Sequence, residues 1–559
     1  MFSNLVRKLR SLAQMDALST VRKGDRRWRL SPAGAALFGP AGPDLDTWLA
    51  SGMATVVKSN PARTVYRVEL PGATVFVKHC KISGPRAWGR EVIRPPKAQL
   101  EFENTLALRE RGVAAIEPLA WGGPDSRWPG ESFLITRELT DATPFVYYLQ
   151  HVLPELPAKE HRADRRRIAR SLGEFVARLH DAGVAHPDPH PGNLLVELPP
   201  NRIPHFALID LHAVSVGRPL CRRESNKNLV LFNRWFQLRA SRADRVRFWH
   251  AYRYARMTLP APSRDELRMG AKALERDTIV SNLRFWAGRE SRCLGTNRYF
   301  RRIRGGDFRG FAVRDLPDEF LQHLLADPDA LLREPQTPLF KDSRTSTVAV
   351  LNMPTLTGVV PVVLKRVNVR SRWEPFKNLL RSSQVVRSWV SGHSLRDRCL
   401  PTPRPLAVFH RYRAGLAAEG YLLTELVPEP APLRGEDRKP ALALARLLRA
   451  MHDRGVSHRD LKAANVLLGR GSEPMLIDLV GVRTCVRLSD TQRAKELARL
   501  NVSFLESAAV SATDRLRFLR TYLAAGVGFQ VDWKSWWKLV FRATAAKVAK
   551  NRRNGRTLG

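Results

Sequence analysis

An Asp followed five residues later by an Asn, and then by a second Asp at the end of an apolar run, occurs twice in this chain of 559 residues. Asp188, Asn193 and Asp210 form the first set; Asp460, Asn465 and Asp478 form the second. The flanking segments, LHDAGVAHPDPHPGNLLV at Leu179–Val196 and MHDRGVSHRDLKAANVLL at Met451–Leu468, repeat one another with changes. Such a set suits phosphoryl transfer, which needs a carboxylate to orient and deprotonate a hydroxyl, ligands that hold magnesium on nucleotide phosphates, and a cation on those phosphates. Asp188 and Asp460 are the expected bases, with Asn193 and Asp210, and Asn465 and Asp478, as the expected metal ligands. Taken alone, an H-x-D is usually a turn with a solvated Asp, and L-I-D-L a buried strand with a polar end. Two copies of the whole series in the same order argue against coincidence.

These groups need elements to hold them. Ala73–Lys78 (ATVFVK) and Val359–Lys365 (VVPVVLK) are β-branched runs that read as strands ending on a Lys. Lys78 and Lys365 are therefore the expected phosphate-binding cations. A following helix should carry an acid to orient that Lys. Gln99–Leu108 offers Glu101, with Glu103 as the fallback, whereas Gln384–His393 contains no acid. Neither Lys58–Thr64 nor Lys341–Thr347 is rich in glycine; turn amides helped by Arg63 or Arg344 could still cradle phosphates, or one nucleotide site is degenerate. Phe133–Leu139 and Tyr421–Leu426, midway between Lys and loop, resemble the hinge that receives adenine by main-chain hydrogen bonds. Lys462, two residues after the second base, stands where Ser/Thr kinases carry a phosphate-contacting Lys.

The second loop, His458–Asn465 (HRDLKAAN), closely fits the H-R-D-L-x-x-x-N type found in protein-kinase-like sites, and the first, His186–Asn193 (HPDPHPGN), keeps its His, Asp and Asn. The metal-ligand triplets depart from D-F-G, continuing Leu211-His212 and Leu479-Val480. With H-x-D-x-x-x-x-N, I-D-L, absent glycines and the turn CLPTPRPLA at Cys399–Ala407, the chain resembles the Kdo/WaaP lipopolysaccharide kinase family over about residues 50–255 and again about 335–530. The resemblance implies an α+β fold of two protein-kinase-like domains in tandem, each with a small β-rich N-lobe and a helical C-lobe. It also implies ATP and Mg2+ as cofactors, and a Kdo or heptose hydroxyl of the lipopolysaccharide core as acceptor. The first loop is similar as well to aminoglycoside and choline-type phosphotransferases, which favours a sugar or small molecule over protein. Two other readings stay open. Lys462 fits a kinase of protein Ser/Thr or of a metabolite, and the absent glycines and missing acid fit a pseudokinase scaffold at an anionic membrane surface.

Composition sets the frame. A chain of this length, 44% hydrophobic, can bury more than one core. The expected division is a basic extension over 1–48, a first kinase-like domain over 49–285, a connection and start of the second N-lobe over 286–340, a second domain over 341–532, and a basic Trp-rich segment over 533–559. The net charge of +40 attracts anionic glycolipid and membrane headgroups; an Arg-rich coding bias is the plain alternative. Without a zinc finger, helix-turn-helix or RNA-binding aromatic pair, nucleic acid is not the expected partner. Five scattered cysteines suggest neither disulfide framework nor zinc site, as in a reducing compartment. Met1–Arg10 lacks the apolar core of a signal peptide, so the expected place is the cytoplasm, peripherally on the inner face of its membrane. Trp533, Trp536, Trp537, Val540 and Phe541 recur at helical spacing and suit packing on the second C-lobe better than an interfacial helix.

Overall fold

The structure, a computed structural model, describes residues 18–126, 128–199, 203–334, 337–355, 358–369, 373, 381–435, 438–525 and 532–555. The chain divides into two units, Met1–Thr278 and Ile279–Gly559.

In the first unit, alternating apolar residues build an antiparallel sheet of seven strands. Its order is Ser19–Lys23, Arg26–Leu30, Pro118–Pro124, Ser132–Arg137, Ala73–Cys80, Arg63–Leu70 and Ala54–Asn60. One face carries Trp28, Leu30, Val75, Val77, Phe133 and Ile135, all buried together. The opposite face receives the helix Lys97–Glu110, whose Ala98 and Phe102 pack on Trp121 and Leu134. Beyond the sheet, the long helix Ala158–Asp181 buries Ile168, Leu172, Phe175 and Val176 against the helices Arg222–Arg239 and Arg242–Ala255. Small antiparallel pieces frame the Asp188 loop: Leu194–Glu197 between Ala142–Pro144 and His205–Leu208, and Val184–Ala185 with Ser215–Val216.

The second unit repeats this strand order. Phe300–Gly305, Phe308–Val313, Pro405–Arg413, Leu416–Glu425, Gly358–Val367, Ser346–Thr355 and Leu339–Ser343 lie in the same succession. The helix Gln384–Asp397 takes the place of Lys97–Glu110, and Arg438–Asp453 that of Ala158–Asp181. The helix Trp533–Arg553 sends Trp536 into the core around Leu448, Leu497 and Tyr522, while Phe541 stays exposed.

Two stretches differ from the expected division. Residues 19–30, assigned by sequence to an extension, are the first two strands of the first sheet, fixed by Trp28 and Leu30 in its core. The units part at Thr278, inside the helix Arg264–Ala287, rather than at 285. Met1–Arg10 lies outside the described residues. No described helix is long and apolar enough to cross a membrane.

Candidate active site

Lys78 sits opposite Leu134 in the sheet register, on the face that meets the helix Lys97–Glu110. Glu101, one residue before the buried Phe102, therefore points at it. The Lys78 ammonium donates to Glu101 Oε1 at 2.5 Å, with only 15% and 5% of the two side chains exposed. At this burial each ion depends on the other for solvation. Glu103, the fallback, instead accepts from Gln99 on the surface.

The same helix fixes the metal-ligand loop. Asn104 Nδ2 donates to the Leu211 carbonyl at 2.8 Å, and Asp210 just before it adopts a left-handed backbone, φ 61° and ψ 53°. His212 Nδ1 lies 3.0 Å from Asp210 Oδ1, and Arg63 Nη1 3.7 Å from the same oxygen. The His212 hydrogen bond first, then the charges of Lys78 and Arg63, holds the Asp210 carboxyl far below the usual carboxylate range. An ionised carboxylate of this kind is the hard oxygen ligand that magnesium takes. Ligand atoms of Glu101, Asp210 and His212 lie within 4.8 Å of one another, although Glu101 is engaged by Lys78.

Asp188 is exposed on its loop, free to meet a hydroxyl. The loop is braced from beneath: Asp188 N donates to His186 Nδ1 at 3.1 Å, and the His186 carbonyl accepts from Asn228. Burial holds His186 below its ordinary pKa, which keeps the ring a neutral acceptor. Asn193 Nδ2 donates to the Asp188 carbonyl at 3.1 Å, leaving Oδ1 available to a cation. The Ile209 amide donates to the Asn193 carbonyl at 3.0 Å, tying Asn193 to the strand that leads into Asp210. Asn193 and Asp210 thus fit magnesium.

The second unit reproduces the loop and changes the cation. Asn465 Nδ2 donates to the Asp460 carbonyl at 2.8 Å, Ile477 N to the Asn465 carbonyl at 3.0 Å, and Asp478 is left-handed with φ 54° and ψ 62°. His458 is buried, and its amide donates to Glu496 at 2.8 Å. Lys462 Nζ is 3.8 Å from Asp460 Oδ2. Among the described residues Lys365 pairs with no acid of the helix Gln384–Asp397; it lies 3.2 Å from Asp478 Oδ1, both side chains substantially exposed. Both helices have fourteen residues and end two positions before a left-handed residue, Gly112 or Cys399. Phe102 and Trp389 match in this register, each wholly buried, so Ser388 stands where Glu101 does.

Of the residues named from the sequence, Lys78 meets Glu101, Lys365 meets Asp478, and Asn193 and Asn465 bond to the Asp188 and Asp460 carbonyls. Sequence reasoning passed over His212 and Ser388. The His after I-D-L was a visible signal, whereas Ser388 emerges only once the two helices are registered. In the first turn Asn60 Oδ1 accepts from both Ala62 N and Arg63 N, which occupies these two amides. In the second turn, the Ser346 amide donates to Ser343 Oγ.

The sequence matches the lipopolysaccharide kinase (Kdo/WaaP) family over residues 86–252 and 376–522, together more than half of the chain. The chain belongs to that family. A 3-deoxy-D-manno-octulosonic acid kinase of Xanthomonas axonopodis pv. citri is 35% identical over 137 residues, covering 23% of this chain and 54% of the relative. The enzyme of the same name from Haemophilus influenzae is 28% identical over 132 residues, covering 22% and 55%. This member of the family spans about half the length of the curated relatives it matches. A solved structure, "WaaP in complex with acyl carrier protein", is 23% identical with TM-score 0.33, over 45% of this chain and 98% of that one.

Proposed function

We propose that the chain is an ATP- and magnesium-dependent phosphotransferase built as two kinase-like domains in tandem, and that its acceptor is a Kdo or heptose hydroxyl of the lipopolysaccharide core at an anionic membrane surface. The observation that carries this reading is the buried Lys78–Glu101 pair set beside the left-handed Asp210. In the first domain Lys78 would sit on nucleotide phosphates, and Asn193 and Asp210 would hold magnesium, which neutralises the charge developing on the phosphates. Asp188 takes the acceptor proton as the acceptor oxygen bonds to the γ-phosphorus and ADP leaves. Asp460, Asn465 and Asp478 offer the same groups in the second domain. There Lys365 bonds to Asp478, competing with the metal, and Ser388 supplies no carboxylate. That favours a lesser, supporting role for the second site, the part a pseudokinase would play. The test is incubation of full-length protein with ATP, Mg2+ and Kdo-bearing lipid A, read by mass spectrometry for one added phosphate. No added phosphate, or equal addition by Asp188→Asn, would reject the proposal.

A further inference from the structure

Between the Lys78 strand and the Glu101 helix lies a short helix, Pro85–Ile93, with apolar side chains held in solvent. Trp88 and Val92, one turn apart, are exposed, and Ile93 is exposed to 83%. Trp88 stacks on the exposed Trp128 with ring centroids 6.1 Å apart. Arg90, Arg94 and Lys97 stand exposed on the helix and just beyond it, while the helix's one acid, Glu91, is half-buried. Paired Trp with aliphatics and Arg is the composition of a helix lying in a membrane interface rather than of an ordinary solvated surface.

We propose that the helix Pro85–Ile93, with Trp128, docks the first unit on an anionic lipid surface. Trp88, Val92 and Ile93 enter the boundary between headgroups and acyl chains, and Arg90, Arg94 and Lys97 meet lipid phosphates. Charge complementarity selects this occupant, since the three local cations sit in a chain of net charge +40. The inference rests on the reading of the acceptor as a membrane-anchored glycolipid, and it supplies the element that reads the membrane. This helix directly joins the segments bearing Lys78 and Glu101.

Sedimentation of full-length protein with vesicles of phosphatidylcholine, alone or mixed with phosphatidylglycerol, tests it. The wild type should partition to the mixed vesicles, and Trp88→Asp with Ile93→Asp should weaken partitioning about tenfold or more. Phe541→Asp, on the C-terminal helix, should change it little. Equal partitioning of wild type and a folded double variant, or no partitioning of the wild type, overturns the proposal. Amide exchange on the wild type needs no variant: protection of residues 85–94 by mixed vesicles supports it, and protection confined to Trp533–Arg553 overturns it. Phosphate transfer to a soluble, deacylated acceptor is read separately. Transfer without vesicle binding sinks the docking helix alone, and vesicle binding without transfer sinks the enzymatic reading.

Discussion

Glu101→Gln should convert the first site toward the geometry of the second. The substitution keeps the size of the side chain and removes its charge, leaving Lys78, 15% exposed, to find another anion. Asp210 is the available one, because Lys78 already acts on its carboxyl. The second unit shows the outcome: with Ser388 in the place of Glu101, Lys365 bonds to Asp478 at 3.2 Å. A Lys there opposes the metal and leaves the phosphates. A hydrogen bond to a charged partner contributes about 1.5–3 kcal/mol. At about 1.4 kcal/mol per decade, kcat/KM for ATP should fall about 10- to 100-fold, and the magnesium concentration for half-maximal rate should rise. The assay is ADP release at varied Mg2+ in full-length protein carrying Asp460→Ala, so that only the first site is read. Ser388→Glu is the converse, expected to draw Lys365 from Asp478 and strengthen Mg-ATP binding at the second site. If Glu101→Gln kept kcat/KM within twofold and left the magnesium midpoint unmoved, the ion pair would have no part in the reaction.

Other outcomes follow from the same geometry. Asp188→Asn should abolish most transfer while Asp460→Asn leaves most of it, measured as phosphate added per minute; the reverse ranking would assign the chemistry to the second unit. Burial is the first cause holding His180 and His410 each down to about 4, against 6.5 for a free imidazole. The unfolded chain therefore binds more protons as pH falls from 6.5 toward 4, and folded stability drops through that window. Asp44, held to about 2 against 3.8 for a free carboxyl, loses its contribution only near and below that free value, so it adds nothing between pH 7.5 and 5.5. Urea midpoints should be lower at pH 5.5 than at pH 7.5, and an equal or higher midpoint at pH 5.5 would contradict the burial of these rings. Trp536→Ala should cost about 3–5 kcal/mol in unfolding of the second unit, because its ring packs 5.8 Å from Tyr522 in the core; an unchanged midpoint would mean the C-terminal helix is only loosely attached.

Much of the site was legible because its chemistry is local in sequence. Asp188 and Asn193 share one loop, Lys78 ends a β-branched run, and Glu101 follows on a helix with Phe102 marking its buried face. The missing acid of the second copy was legible too, but not what replaces it, since Ser388 has meaning only after Phe102 and Trp389 are superposed in register. The hairpin at 19–30 escaped because its inward alternation reduces to Trp28 and Leu30 amid Arg and Lys, which read as a charged extension. The turn amides escaped because the competitor for them, Asn60, is a side chain whose hydrogen bonding depends on how tightly the hairpin closes.

The strand order also bears on how the polypeptide is made. The hairpin of Ser19–Lys23 and Arg26–Leu30 pairs with Pro118–Pro124, and that of Phe300–Gly305 and Phe308–Val313 with Pro405–Arg413. Each hairpin therefore leaves the ribosome on the order of ten seconds before its neighbouring strand exists. Vectorial synthesis keeps the two waiting periods apart, because residue 124 emerges well before residue 300. Dilution from denaturant removes that separation and offers both hairpins to two sheets of the same order at once. Refolding should therefore yield exchanged and aggregated species that translation avoids, and recovery of monomer by the two routes measures how far the duplicated fold depends on the direction in which it is written.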